Sequence, residues 1–214
     1  GSDNNSFLVS TPGAFAAFMF LKKYNWSFNA TTKPDIRKGK PMFVPRGRGL
    51  GGSSATNAML YIRGQAQDYD DWAHLGNQGW AFSDMLPYFK KSEHNENLSD
   101  ELHGKGGPLN VSTRPINYEI SKRFIEASKQ AGFKYTDDFN GLDQEGVGYY
   151  QCTIKDGQRC GAARGYLLPA MTRPNLDVKT SARVKRILIE DNQAVGVEVD
   201  ISGNTHTIMA NKEV

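Results

Sequence analysis

Apolar positions change their spacing repeatedly along this chain, and each change marks an element. The longest apolar run, Ala14-Phe15-Ala16-Ala17-Phe18-Met19-Phe20-Leu21, predicts a short helix over Ala14 to Lys22. It is far below the ~20 residues a membrane span needs. It also lacks the preceding basic segment and following cleavage site of a signal peptide. An extended, proline-punctuated stretch follows to Pro45. Helical spacing returns at Met85, Leu86 and Phe89, predicting a helix capped by Ser83 or Asp84 with Pro87 in its first turn. Residues Ser92 to Pro108 are polar and loop-like, and Leu109 to Thr113 alternate as a strand does. Ile120, Phe124, Ile125, Ala127 and Ala131 give a helix over 118–131 that Gly132 stops.

The last third changes character. Val147 to Ile154 reads as a strand and Ala162 to Met171 as a short helix. Leu176 to Thr180 then begins a run of strands through Val184–Glu190, Ala194–Ile201 and Thr205–Ala210, with turns at Asp191-Asn192-Gln193 and Gly203-Asn204. That pattern predicts a β-meander, in which Val184 reads as a core strand residue.

The stretch least like the rest is Arg46 to Gly64. Gly47, Gly49, Gly51 and Gly52 stand within six residues, followed by Ser53, Ser54 and an apolar run of helical type. Bare glycine backbone reaches positive φ and lets N–H groups approach a ligand closely. The first turn of a following helix adds unpaired donors and partial positive charge, and Ser53 and Ser54 are good caps. Such a junction suits an anion. Arg46 and Arg48 add formal charge, although the sequence does not place them on a ligand.

Gly47, Gly49 and Gly52 also fit G-x-G-x-x-G, the dinucleotide fingerprint, and acidic residues stand about twenty positions on at Asp68, Asp70 and Asp71. That fingerprint needs a buried strand before it and a helix after it. Here the approach is Met42-Phe43-Val44 between Pro41 and Pro45, a poor central strand, and the sequence downstream reads as one helix and its continuation.

The extended motif resembles the first signature of the glucose-methanol-choline (GMC) flavoprotein oxidoreductases: Gly47-Arg48-x-Leu50-Gly51-Gly52-Ser53-Ser54, then Asn57, Tyr61, Gly64 and Asp70. Similarity to choline-dehydrogenase-type members continues through Lys23–Trp26, Leu86–Glu93, His103-Gly104-x-x-Gly107-Pro108-Leu109, Asp138–Gly141, Ala163–Leu167 and Arg173–Leu176. Thr56 departs from the family, which usually has an aliphatic residue there and in some members a histidine bound covalently to flavin. The resemblance therefore implies FAD held without a covalent bond.

It further implies an α/β fold, α+β in this stretch, combining part of an FAD-binding domain of the FAD/NAD(P)-binding type with part of the GMC substrate domain. Residues 1–45 would cover the flavin, 46–80 would form the flavin-contacting loop and helix, 81–155 part of the substrate domain, and 156–214 the return to the FAD domain. Gly51, Gly52 and Ser53 would meet the pyrophosphate, Asn57, Ala58 and Leu60 the isoalloxazine end, and Val184 the adenine. The implied activity is oxidation of a primary, choline-like alcohol to an aldehyde by hydride transfer to flavin. The family's adenine fingerprint precedes the position of Gly1-Ser2-Asp3, and its catalytic histidine lies beyond Val214. The expectation is an internal fragment, inactive alone, with no catalytic residue of its own.

Composition changes this picture little. The 214 residues are 38% hydrophobic and 23% charged, with a net charge of +3, enough for a core. Lysine and arginine are scattered, which gives no case for nucleic acid. Cys152 and Cys160 lack the partners of a zinc site and read as free thiols in a reducing, cytoplasmic setting, with a peripheral inner-membrane association open for the parent. The acidic groups at 68–71 and 137–143 lack the spacing of a calcium loop, so no metal is expected. His74, His94, His103 and His206 are far apart and read as lone surface histidines. Two alternatives stay open beside the flavin reading: a nicotinamide-binding Rossmann unit, and a folded interaction piece without cofactor.

Overall fold

The computed structural model describes residues 6–114 and 118–214; Gly1–Asp3, which entered the reading above, lie outside them. Helix α1 (Phe7–Ser10) is one turn, with the Ser6 hydroxyl accepting the Val9 N–H. Pro12 then opens a 3-10 helix, Pro12–Met19, where an α-helix over Ala14–Lys22 was expected. A helix is held mainly by docking one apolar face, and here Phe18 is buried while Phe15 and Phe20 face outward. Strands β1 (Phe28–Ala30) and β2 (Met42–Val44) form a two-stranded antiparallel ribbon. The glycine loop is thus entered from a short ribbon and not from a parallel sheet, which removes the upstream context of a Rossmann fingerprint.

Downstream of the loop the expected helix does not form. A single 3-10 turn, Gly52–Ala55, is followed by Met59 in the left-handed region (φ 63°). The chain then runs extended, with Leu60 bridged to Cys152. Helix begins only at α2 (Ala66–His74), which packs against α3 (Phe82–Ser92) through Tyr69, whose ring meets Trp72, Phe82 and Phe89. Asp68 accepts the Gln65 N–H and Asp70 the Phe82 N–H, so these acids are caps and ties. In α3 the Asp84 carboxylate accepts from Ala81, the helix starts one residue before Ser83, and Pro87 falls in the second turn.

Within the stretch read as a loop, β3 (Glu93–Asn95) pairs in parallel with β4 (Leu109–Val111). Helix α4 (Glu119–Gln130) stands where helical spacing put it, and Gly132 ends it at φ 91°. The predicted strand over 147–154 is broken into single bridges, Val147 to Tyr135 and Cys152 to both Leu60 and Ser112. It leads into a hairpin of β5 (Ile154–Lys155) and β6 (Gln158–Arg159). A π-helix, Ala163–Leu167, continues into α5 (Leu168–Ala170).

The meander forms as expected from β7 (Ala182–Glu190), β8 (Gln193–Ile201) and β9 (Asn204–Met209). Its turns carry positive φ at Asp191-Asn192 and Ser202-Gly203, the pattern of tight hairpins. Leu176–Thr180 stays outside the strands. Val184 is 55% exposed and so is not a core residue. Among the described residues the apolar centre is small: Met59, Cys152 and Ile154 cluster beneath the glycine loop. Both cysteines are buried free thiols, and burial pushes the Cys152 thiol upward. No described helix is long and apolar enough to cross a membrane.

Candidate functional site

The loop from Gly47 to Asn57 is folded on itself by hydrogen bonds. The Gly47 N–H donates to Ser53 Oγ at 3.1 Å, Arg48 N–H to the Tyr24 carbonyl at 2.8 Å, and Ser54 Oγ to the Gly51 carbonyl at 2.6 Å. Ser54 Oγ also accepts the Ala162 N–H, tying the loop to the π-helix. The serines therefore latch the loop and do not cap a long helix. Ser53 Oγ serves the latch as an acceptor, and the residue is exposed.

Two adjacent glycines have different surroundings. A Cβ on Gly51 (φ 84°) would meet Ala163 at 3.2 Å, so this face is packed. A Cβ on Gly52 (φ 53°) would meet nothing within 4 Å, so this face is open. Ser53, Asn57, Ala58 and Leu60 are exposed beside it. Six of the seven residues expected at a cofactor thus lie along one short stretch of chain. Val184 lies apart on β7, but its neighbour Arg183 and the loop's Arg48 both lie on the Trp26 ring, at 5.7 and 4.8 Å. Arg46 is engaged with the Pro45 carbonyl.

Sequence reading missed Arg159. Its guanidinium is buried, 4% exposed, beneath the loop. Nη1 donates to the carbonyls of Asn57 (2.7 Å) and Ser54 (3.2 Å) and to Asn57 Oδ1 (2.8 Å), and Nε donates to the Val9 carbonyl. Nη2 is buried without a partner among the described residues. Burial pushes its pKa down to about 10. Asn57 Oδ1 accepts from Met59 N–H as well. Two donors fix the amide with its oxygen inward, which leaves the Asn57 NH2 group to face solvent.

Behind the loop lies a second buried network. Arg63 pairs with Glu93, their side chains 4% and 0% exposed. Arg63 also donates to the Leu102 carbonyl, and its guanidinium lies on the Phe89 ring at 5.3 Å. Glu93 accepts from Gly104 N–H and from Asn95, whose side chain reaches Gln151. Asn140 accepts the Arg63 N–H, which gives the Asn140-Gly141 turn a structural task.

His103 is not a surface histidine. Its imidazole is fully buried, with Nδ1 at 2.8 Å from Asp100 and Nε2 at 3.5 Å from Asp138. The second contact lacks hydrogen-bond geometry and is electrostatic. Burial opposes the imidazolium, but Asp138, Asp100 and the more distant Glu93 outweigh it and raise the pKa above 6.5. Burial likewise opposes the ionised Asp138 and Asp100, and contacts with His103 and backbone N–H groups lower both below 3.8. The histidine's contribution to stability is complete below about pH 6.5 and fades as pH rises through the higher folded value. The carboxylates' contribution is complete above about pH 4 and fades on acidification. Melting temperature is therefore expected to fall on the alkaline side of pH 6.5, and His103→Gln to flatten that limb; a limb unchanged in the variant would refute the assignment.

The GMC oxidoreductase family model matches residues 5–214. Oxygen-dependent choline dehydrogenase of Sinorhizobium medicae is 42% identical over all of this chain and 38% of its own length. Human mitochondrial choline dehydrogenase is 40% identical over all of this chain and 36% of its own. Pyridoxine 4-oxidase from Mesorbium loti superposes with a TM-score of 0.90 at 29% identity, covering 99% of this chain and 42% of that one. An FAD-dependent oxidoreductase from Chaetomium thermophilum gives 0.87 at 28% identity, covering 99% and 38%. The chain spans well under half the length of each.

Proposed function

The chain belongs to the GMC oxidoreductase family, and we propose that it supplies the flavin-contacting face of an FAD-dependent enzyme that oxidises a small primary alcohol of the choline type to its aldehyde. The carrying observation is the latched glycine loop, packed behind Gly51 and open in front of Gly52. The residues fit the group: a side chain at Gly52 would fill the space a phosphate needs, and the hydroxyl of exposed Ser53 follows it directly in the chain. In this reading Gly51, Gly52 and Ser53 hold the pyrophosphate, Asn57, Ala58 and Leu60 line the isoalloxazine, and β7 at Val184 borders the adenine.

FAD supplies the hydride-accepting chemistry when bound. This chain's part is to bind and orient. The 3-10 turn Gly52–Ala55 is too short for an extended helix dipole, and the N–H groups of Gly52 and Ser54 are engaged with the Gly49 and Gly51 carbonyls, so anion recognition falls to the Ser53 hydroxyl and the glycine backbone beside it. Asn57 offers donors only, because its oxygen is held by Met59 and Arg159. Thr56 offers no imidazole, which supports a cofactor without a covalent link.

Calorimetric titration of the full-length protein checks this directly. FAD is expected to bind and NAD to show no heat, with aldehyde formed from choline or another primary alcohol. Uptake of NAD in place of FAD would favour the Rossmann alternative, and binding of neither would favour a cofactor-free scaffold.

A further inference from the structure

Arg159 is expensive where it stands. A guanidinium buried with one terminal nitrogen unpartnered costs stability that a neutral side chain would not. It faces carbonyl and amide oxygens of Val9, Ser54 and Asn57, and among the described residues no carboxylate pairs with it. Unsatisfied buried groups of this kind occur where function holds them. Three of its four hydrogen bonds end on the Ser54–Asn57 turn, and two of those on Asn57 itself.

We propose that Arg159 is a positioning residue for the cofactor: it holds the Asn57 side-chain oxygen inward so that the Asn57 NH2 group is presented to the flavin. This rests on the reading above that FAD lies on the Gly52–Leu60 face. One guanidinium nitrogen, Nη1, reaches both the Asn57 carbonyl and its side-chain oxygen, at 2.7 and 2.8 Å, and Nε on the Val9 carbonyl fixes the guanidinium plane that aims it. A lysine ammonium keeps the charge and loses that fixed geometry. Without Arg159 the amide is held only by the Met59 N–H and is free to turn its oxygen toward the ligand.

The test is the flavin's reduction potential in the FAD-loaded full-length protein. Arg159→Lys is expected to lower the ratio of reduced to oxidised flavin at a fixed poise about tenfold, ~30 mV for a two-electron couple. Asn57→Ala is expected to do the same, and the double variant to add less than about threefold to either. An equal shift from Arg159→Lys with Asn57 and with Asn57→Ala, or no shift, overturns the proposal. Asn57→Asp covers the case in which Arg159 variants do not fold, because Asn57 is exposed. It places a second oxygen where the NH2 group stood and is expected to lower the ratio at least as far; an unchanged ratio overturns the proposal. A wild-type protein that takes up no FAD overturns the functional reading itself, a failure seen before any variant is made.

Discussion

Replacing Glu93 with alanine is expected to destabilise this fold by about 3–5 kcal/mol, the range for breaking a buried ion pair from one side. Arg63 would be left charged in a site where its side chain is 4% exposed. Gly104 N–H and the Asn95 amide would lose their acceptor in the same step. A typical domain is stable by about 5–15 kcal/mol, so the variant would sit close to unfolding. Denaturant titration reads the loss, and a change under about 1 kcal/mol would show the pair to be dispensable. Glu93→Gln keeps two of the three acceptor roles and is expected to cost less.

The second large effect separates folding from binding within one loop. A Cβ added at Gly47 would lie 2.1 Å from the Gly52 carbonyl oxygen and 2.8 Å from Ser53 Cα. Those are backbone atoms, and they yield only if the loop opens. Gly47→Ala is expected to cost about 1–3 kcal/mol by overpacking and to abolish FAD uptake. Gly52→Ala meets no neighbour, and its cost to the fold is about 1–2 kcal/mol for a left-handed alanine. Its methyl group occupies the open face, so FAD affinity is expected to fall with the fold retained. Paired melting and FAD titration of the two variants check the contrast. If Gly52→Ala binds FAD as the wild type does, the open face is not the ligand's.

What was legible in the sequence was local. Four glycines before two serines announce a tight loop, because glycine takes the positive φ at Gly49, Gly51 and Gly52 at least cost and alone fits the close approach at Gly47. Hairpin residues at Asp191-Asn192 announce the meander in the same way. The helix expected after Ser53 failed for a distant reason: Met59 turns left-handed and Leu60 bridges to Cys152, a partner far along the chain. β3 escaped notice because Glu93-His94-Asn95 is polar, and it is buried only because Arg63 and Gln151 meet it there. His103 was misjudged for the same reason, since Asp138 reaches it through the fold. Arg159 sits in a short hairpin that resembles any surface turn, and nothing local marks it as buried.

The latched loop has a kinetic and thermodynamic meaning of its own. Its shape is held by hydrogen bonds to Ser53, Ser54, Tyr24 and Arg159. Fixing a backbone residue costs roughly 1–2 kcal/mol in conformational entropy, and here that cost falls on the folding step. Ligand capture by such a preorganised surface loses little further freedom. Association would then be limited by encounter, and retention by the contacts made, with no slow loop-closing phase between them.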